Sequence, residues 1–219
     1  MTSFDPKTTK FPYPKDTAGH YIRTKKNRGL VFDEHYQYID KRKSFLLKQS
    51  LLRHVLFMVV FPIAKIRLGL KINNKQVLKQ HKDLLAQGAI TIYNHVHYWD
   101  YLAIMLTLRP IKPYILSWAQ NLNDSSGRLV RLVGGIPIPE HNLKAKFKQL
   151  KEVGQMLDEG GWLHIYPEGS MWEYYRPIRP FKKVLNIWQL NIINQLFQWL
   201  FLIVNQIGLE DIFFIKSPF

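Results

Sequence analysis

Apolar positions along the chain change their spacing several times, and each change marks a predicted element. Residues 1–43 show no period: they are polar, basic and Pro-containing, with scattered aromatics such as Phe11, Tyr13, Tyr21 and Tyr38, and read as an irregular arm. From Ser44 to Ile72 the run SFLLKQSLLRHVLFMVVFPIAKIRLGLKI is apolar, its centre from Val55 to Ala64 flanked by Arg53, His54, Lys65 and Arg67. That centre is shorter than the roughly 20 residues a bilayer span needs, and Pro62 would kink a helix there. The pattern predicts a helix or bent helical pair, either lying in a membrane interface with its cations at headgroup level or packed on the domain's own core.

From residue 74 helical and strand patterns alternate. NKQVLKQHKDLLAQG has helical spacing and stops at Gly88, AITIYNH reads as a buried strand, and YWDYLAIMLTLR reads as a helix. KPYILSWA is a second strand. SSGRLVRLVGGIPIPEHN holds a short helix and a Gly-Gly turn into an apolar, Pro-bounded segment. NLKAKFKQLKEVGQMLDEGG is an amphipathic basic helix with a Gly stop, and WLHIYPEGS is a third strand ending in a turn. This alternation predicts an α/β domain, a mixed sheet flanked by helices, with ligands bound at the strand ends. After RPFKK the alternation ceases: residues 184–219 are apolar, with one cation and two acids in 36 residues. The expected organisation is an arm over 1–43, a domain over 44–183 and an aberrant apolar tail over 184–219.

Composition narrows the function. At 219 residues, 47% hydrophobic and 14% aromatic, the chain has enough apolar surface for a real core. A net charge of +15 points to anionic partners: a phospholipid surface, a phosphorylated or CoA-like small molecule, or nucleic acid. Nucleic acid is the weakest of these, because the aromatics sit in the arm or in core-like strands and no recognition helix or RNA-binding signature is present. The lack of cysteine excludes disulfides, thiol nucleophiles and cysteine metal sites. No secretory signal pattern is read at the N-terminus, so a place inside the cell is expected.

The candidate chemistry lies in ITIYNHVHYWDYLAIM, where a strand runs into a helix. His95 and Asp100 have four residues between them. A separation of five does not place two side chains on one helical face, so the pair would meet across the turn at the helix start. There Asp100 can accept one imidazole N–H, fixing the tautomer and leaving the other ring nitrogen to take a proton from a hydroxyl. The structural alternative is that Asp100 simply caps the helix. A metal site of His95, His97 and Asp100 would need further ligands that the chain does not offer, so no metal is expected.

NHVHYWD, followed by GGIPIP and then YPEGS, resembles the lysophospholipid acyltransferase family, whose type member is 1-acylglycerol-3-phosphate acyltransferase. The family pattern is His, four residues, Asp; then a Gly-rich apolar block; then Phe-Pro-Glu-Gly-Thr or Ser; then a strand with a Val-Pro or Ile-Pro pair. The resemblance covers roughly residues 50–183. It implies a glycerolipid-acyltransferase-like fold and O-acyl transfer from acyl-CoA or acyl-carrier protein, a co-substrate rather than a cofactor, to a lysophospholipid or glycerolipid hydroxyl. It also implies His95 as base, Asp100 as its orienter, and acceptor binding by Gly135, Glu168, Gly169 and Ser170. Two departures concern phosphate recognition: IPIPEHN rather than a nearby Arg follows Gly135, and Met171 follows Ser170. Arg176 and Arg179 are the substitute phosphate contacts, with Lys182 and Lys183 beside them. The expected setting is an anionic phospholipid membrane at its cytoplasmic face; the competing classes are a non-enzymatic basic binder of membrane or nucleic acid and an inactive acyltransferase remnant.

The family's fourth region is missing from 184–219 as written. Moving each codon back by one nucleotide lets the same stretch encode KPVIPMAFSYR, a basic strand with the Ile-Pro pair, directly after RPFKK. The tail is therefore expected to be out of frame, the domain incomplete, one strand edge unpaired and the 219-residue product poorly folded or inactive. Sequencing the gene across the codons for Phe181 to Val184 decides the question: an intact frame there contradicts the expectation.

Overall fold

A computed structural model describes residues 28–68, 76–80, 83, 86–175 and 178–181, together with the backbone of two short strands at 201–203 and 213–215. Four parallel strands form most of the sheet: β1 (Ala89–Ile92), β2 (Tyr114–Trp118), β3 (Gly135–Ile138) and β4 (Trp162–Ile165). Parallel strands need crossovers that cover both faces of the sheet, and the helices between them supply these. They are α4 (Asp100–Thr107), the short α5 (Ala119–Asn123) and α6 (Gly127–Leu132), and α7 (Leu143–Asp158). Ahead of the sheet come α1 (Lys43–Val55), a π-helical turn over Leu56–Val60, α2 (Phe61–Leu68) and α3 (Gln76–Gln80).

The sheet order is β3-β2-β4-β1, continued by β5 (Phe201–Ile203) parallel to β1 and β6 (Phe213–Ile215) antiparallel to β5. Two expectations are corrected here. The segment read as merely Pro-bounded after Gly-Gly is the strand β3, and its Pro137 is tolerated because β3 is the sheet's edge. The far edge of β1, expected to be unpaired, carries β5, which meets the backbone hydrogen-bonding demand of a central parallel strand. Most of the remaining tail lies outside the described residues.

All four positions of β1 and of β4 are buried, as continuous apolar strands of a doubly covered sheet should be. One face packs Ile90, Ile92, Leu116, Ile136, Leu163 and Ile165 against Ala145, Val153, Met156 and Leu157 of α7. The other packs Ala89, Tyr93 and Trp162 against Ile104 and Leu108 of α4 and its C-terminal edge. The α7 helix starts where the Asn142 side chain accepts the Ala145 N–H at 3.0 Å, and the chain leaves it through Gly160 at φ 80°.

Residues 28–42 hold no helix or strand, and the end of this segment is part of the core. Tyr38 is fully buried, the Ile39 N–H donates to Glu152 at 2.8 Å, and Arg131 donates to the Tyr38 and Gln37 carbonyls, both at 2.6 Å.

Residues 43–68 form one continuous helical span, and the stretch Lys43–Ile66 is long and apolar enough to cross a membrane by length and composition. The ten-residue apolar centre therefore understates the helix, because apolar residues continue on one face of the flanking turns. Gln49, Arg53, Leu56, Phe61 and Ala64 face the domain. The five-residue step from Leu56 to Phe61 falls on the π turn, which keeps the buried stripe aligned just before Pro62 removes a backbone donor. The opposite face exposes Leu47, Leu51, Val55, Met58, Val59, Ile63 and Ile66.

Candidate active site

The C-terminal ends of the parallel strands lie at one edge of the sheet, and the loop after β1 crosses that edge before entering α4. Asp100 is the first residue of α4 and its side chain is fully buried. The carboxylate folds back over the loop, where one oxygen, Oδ2, accepts the Val96 N–H at 2.7 Å, the His97 N–H at 2.8 Å and His95 Nδ1 at 3.0 Å. Because a carboxylate only accepts, His95 donates from Nδ1, so that in the neutral imidazole the lone pair is on Nε2. The imidazole remains about a quarter exposed. The two predicted residues thus meet across the turn.

The loop after β4 closes over the same edge. The Trp172 N–H donates to the His95 carbonyl at 3.0 Å and the Tyr174 N–H to the Val96 carbonyl at 2.8 Å, joining the NHVHYWD and YPEGS segments by backbone bonds. Gly169 takes φ 70° as its N–H returns to the Tyr166 carbonyl at 3.0 Å, a turn for which glycine is suited. Tyr174 adopts φ 61°, costly for a non-glycine residue, with its ring 5.8 Å from that of His97. Tyr98, Trp99, Tyr174, Ile178 and Phe181 are all exposed in these two loops and the segment that follows.

The other predicted site residues are differently placed. Glu168 and Arg179 form a buried ion pair, with side-chain exposures of 2% and 1%. Arg179 donates from Nη2 to Glu168 Oε2 at 2.7 Å and to the Ser170 carbonyl, from Nη1 to Ser170 Oγ at 2.9 Å, and from its backbone N–H to Glu168 Oε1 at 2.9 Å. Its guanidinium also lies 4.5 Å above the Trp172 ring. Burial lowers the Arg179 pKa, and Glu168 pulls it the other way. Arg179 is therefore committed to the loop's interior rather than presented to a phosphate, and Glu168 and Ser170 are its partners. Gly135 is not brought to this cluster. It stands in one row with Ile115, His164 and Thr91, but on the edge strand, separated from β1 by β2 and β4, and at the start of β3. Its missing side chain is explained by α6, since a Cβ would lie 2.6 Å from the Val130 carbonyl. Arg176, Lys182 and Lys183 lie outside the described residues.

Three aromatic residues escaped the sequence reading. Tyr166 stacks flat on His95, ring centroids 3.9 Å apart at 10°. His164 meets Tyr166 edge-on at 4.6 Å, and its Nδ1 contacts Thr91 Oγ1 at 2.8 Å. Burial, and secondarily the nearby His95, push the His164 pKa down to about 3, so it stays neutral. Tyr93 packs against both. The Asn94 amide, His164 Nε2 and the Tyr166 hydroxyl are buried without a hydrogen-bond partner among the described residues. The visible signal for this cluster was the strand period, which places Trp162, His164 and Tyr166 on one face of β4 and its exit. Among the described residues no group of three or more metal-ligating side chains is found.

The α/β domain thus presents, on the loops at one sheet edge, a partly exposed histidine held by a buried aspartate, with a Pro-Glu-Gly turn tied to the same loop. The Acyltransferase family model matches residues 69–187, more than half of the chain, and the chain belongs to that family. It is thus an acyltransferase, whose family moves acyl groups from an acyl donor to lipid acceptors. No curated protein matches the chain.

Proposed function

We propose that the protein transfers the acyl group of acyl-CoA or acyl-carrier protein to the free hydroxyl of a lysophospholipid or related glycerolipid, at the cytoplasmic face of the membrane. The observation that carries this reading is the partly exposed His95, held by Asp100 through Nδ1. Nε2 takes the acceptor's hydroxyl proton as the oxygen attacks the thioester carbonyl. The tetrahedral intermediate collapses with C–S cleavage, and the imidazolium returns the proton to the departing thiolate. Asp100 orients the ring and stabilises the imidazolium throughout. The reaction needs no cofactor beyond the acyl donor.

The exposed Tyr98, Trp99 and Tyr174 belong to the two loops that hold His95 and the Pro-Glu-Gly turn, where they would meet the acceptor; tyrosine and tryptophan suit a lipid–water boundary. The exposed apolar face of α1 and α2, with Lys48, His54 and Lys65 also exposed on this span, supports peripheral attachment to an anionic bilayer. Wild type and His95→Ala, floated on anionic phospholipid vesicles containing a lysophospholipid and supplied with labelled acyl-CoA, test the reading. Both should float with the vesicles, and the variant should lose at least about 100-fold in transfer rate. Equal rates would remove His95 from the chemistry, and wild type left in the aqueous fraction would contradict the membrane assignment.

A further inference from the structure

We infer that Tyr166 is a positioning residue for the transfer, fixing the direction in which His95 presents Nε2; this rests on the reading of His95 as the base. The 3.0 Å bond from Nδ1 to Asp100 Oδ2 restrains one end of the ring. It leaves the ring free to pivot about the Nδ1–Oδ2 line, and that pivot swings Nε2 out of line with an approaching hydroxyl. A flat aromatic surface on one face blocks the pivot. Tyr166 supplies it, its ring within 10° of parallel and 3.9 Å away.

The platform is itself fixed from behind. His164, fully buried and anchored to Thr91, sets its ring at 85° to that of Tyr166, and Tyr93 stands at 68° on the same residue. Below, the Gly169 N–H holds the Tyr166 carbonyl, and the Trp172 N–H holds the His95 carbonyl. The loop from Tyr166 to Trp172 thus bonds the backbone carbonyls of both stacked residues. The hydroxyl of Tyr166 is buried without a hydrogen-bond partner among the described residues, so we assign the positioning to the ring. The conservative change Tyr166→Phe, which keeps the ring and deletes an unsatisfied donor, should preserve activity.

The test combines NMR of the His95 ring with steady-state kinetics. In wild type, with the signals assigned by their loss in His95→Gln, the His95 carbon-bound ring protons should resonate upfield, because they lie over the face of an aromatic ring. Tyr166→Phe should keep that shift and kcat, whereas Tyr166→Leu should lose the shift and lower kcat about tenfold or more with KM little changed, since a 1 Å misplacement can cost up to about 100-fold. In a His95→Ala background Tyr166→Leu should cost nothing further, as expected of a residue that acts through His95. No upfield shift in wild type would overturn the inference even if Tyr166→Leu fails to fold, and so would a normal kcat in Tyr166→Leu. If His95→Ala itself retains full activity while the upfield shift is present, the reading of His95 as the base has failed, not the stacking.

Discussion

The molecule holds two buried carboxylates at the same edge of its sheet, and they are used in opposite ways. Asp100 and Glu168 are exposed by 1% and 2% respectively; Asp100 binds one basic side chain and two backbone N–H groups, and Glu168 binds the side chain and the backbone N–H of Arg179. Asp100 holds a residue that still reaches solvent, so its buried charge sets the orientation of an accessible group. Glu168 holds a residue as buried as itself, so its charge is consumed in closing a loop. In the proposed mechanism, what separates the two carboxylates is therefore the accessibility of the partner each one holds, not its own burial.

The Glu168–Arg179 side of this contrast can be broken on stability. Removing one partner of a buried ion pair leaves an uncompensated charge and typically costs about 3–5 kcal/mol. Glu168→Gln should therefore lower the unfolding free energy measured in urea by an amount in that range. A loss below about 1 kcal/mol, the usual value of an exposed pair, would show that Arg179 is not buried in solution.

A smaller effect sharpens the view of what lies behind His95. Folding holds the His164 pKa near 3, well below the 6.5 of an exposed histidine, so the unfolded chain binds a proton the folded one refuses. His164 therefore makes stability fall as pH drops from about 6.5 toward 3, by up to about 1.4 kcal/mol per pH unit, and has no such effect above that window. Between pH 6.5 and 5 the wild type should lose about 2 kcal/mol more than His164→Gln in urea titrations. Equal slopes for the two would mean that His164 is hydrated.

Much of the frame was legible in the chain because local pattern and tertiary structure agree there. AITIYNH, KPYILSWA and WLHIYPEGS contain β1, β2 and β4, and Gly88, Gly134 and Gly160 sit at turns with positive φ. The meeting of His95 and Asp100 was legible for the same reason: the two are five residues apart across a strand-to-helix turn. What escaped the reading depends on distant partners. Arg53 looked like a headgroup cation beside an apolar run, yet it is buried and donates to the Pro113 and Val133 carbonyls, both at 3.2 Å, which Tyr101 also reaches. Arg179 looked like a phosphate contact because an arginine near an active-site loop has the right charge; only the loop's fold reveals that Glu168 claims it. Tyr166 was hidden by its role as a strand-exit residue, because no periodicity records which ring lies on which.

Transfer rate per folded molecule in Asp100→Asn, measured beside Glu168→Gln at a urea-free temperature where both are folded, tests the contrast most directly. If Asp100 orients the base while Glu168 only closes a loop, Asp100→Asn should lose about 100- to 10,000-fold in kcat and Glu168→Gln less than about tenfold. Comparable losses in the two variants, or an Asp100→Asn enzyme at the wild-type rate, would contradict that division of labour.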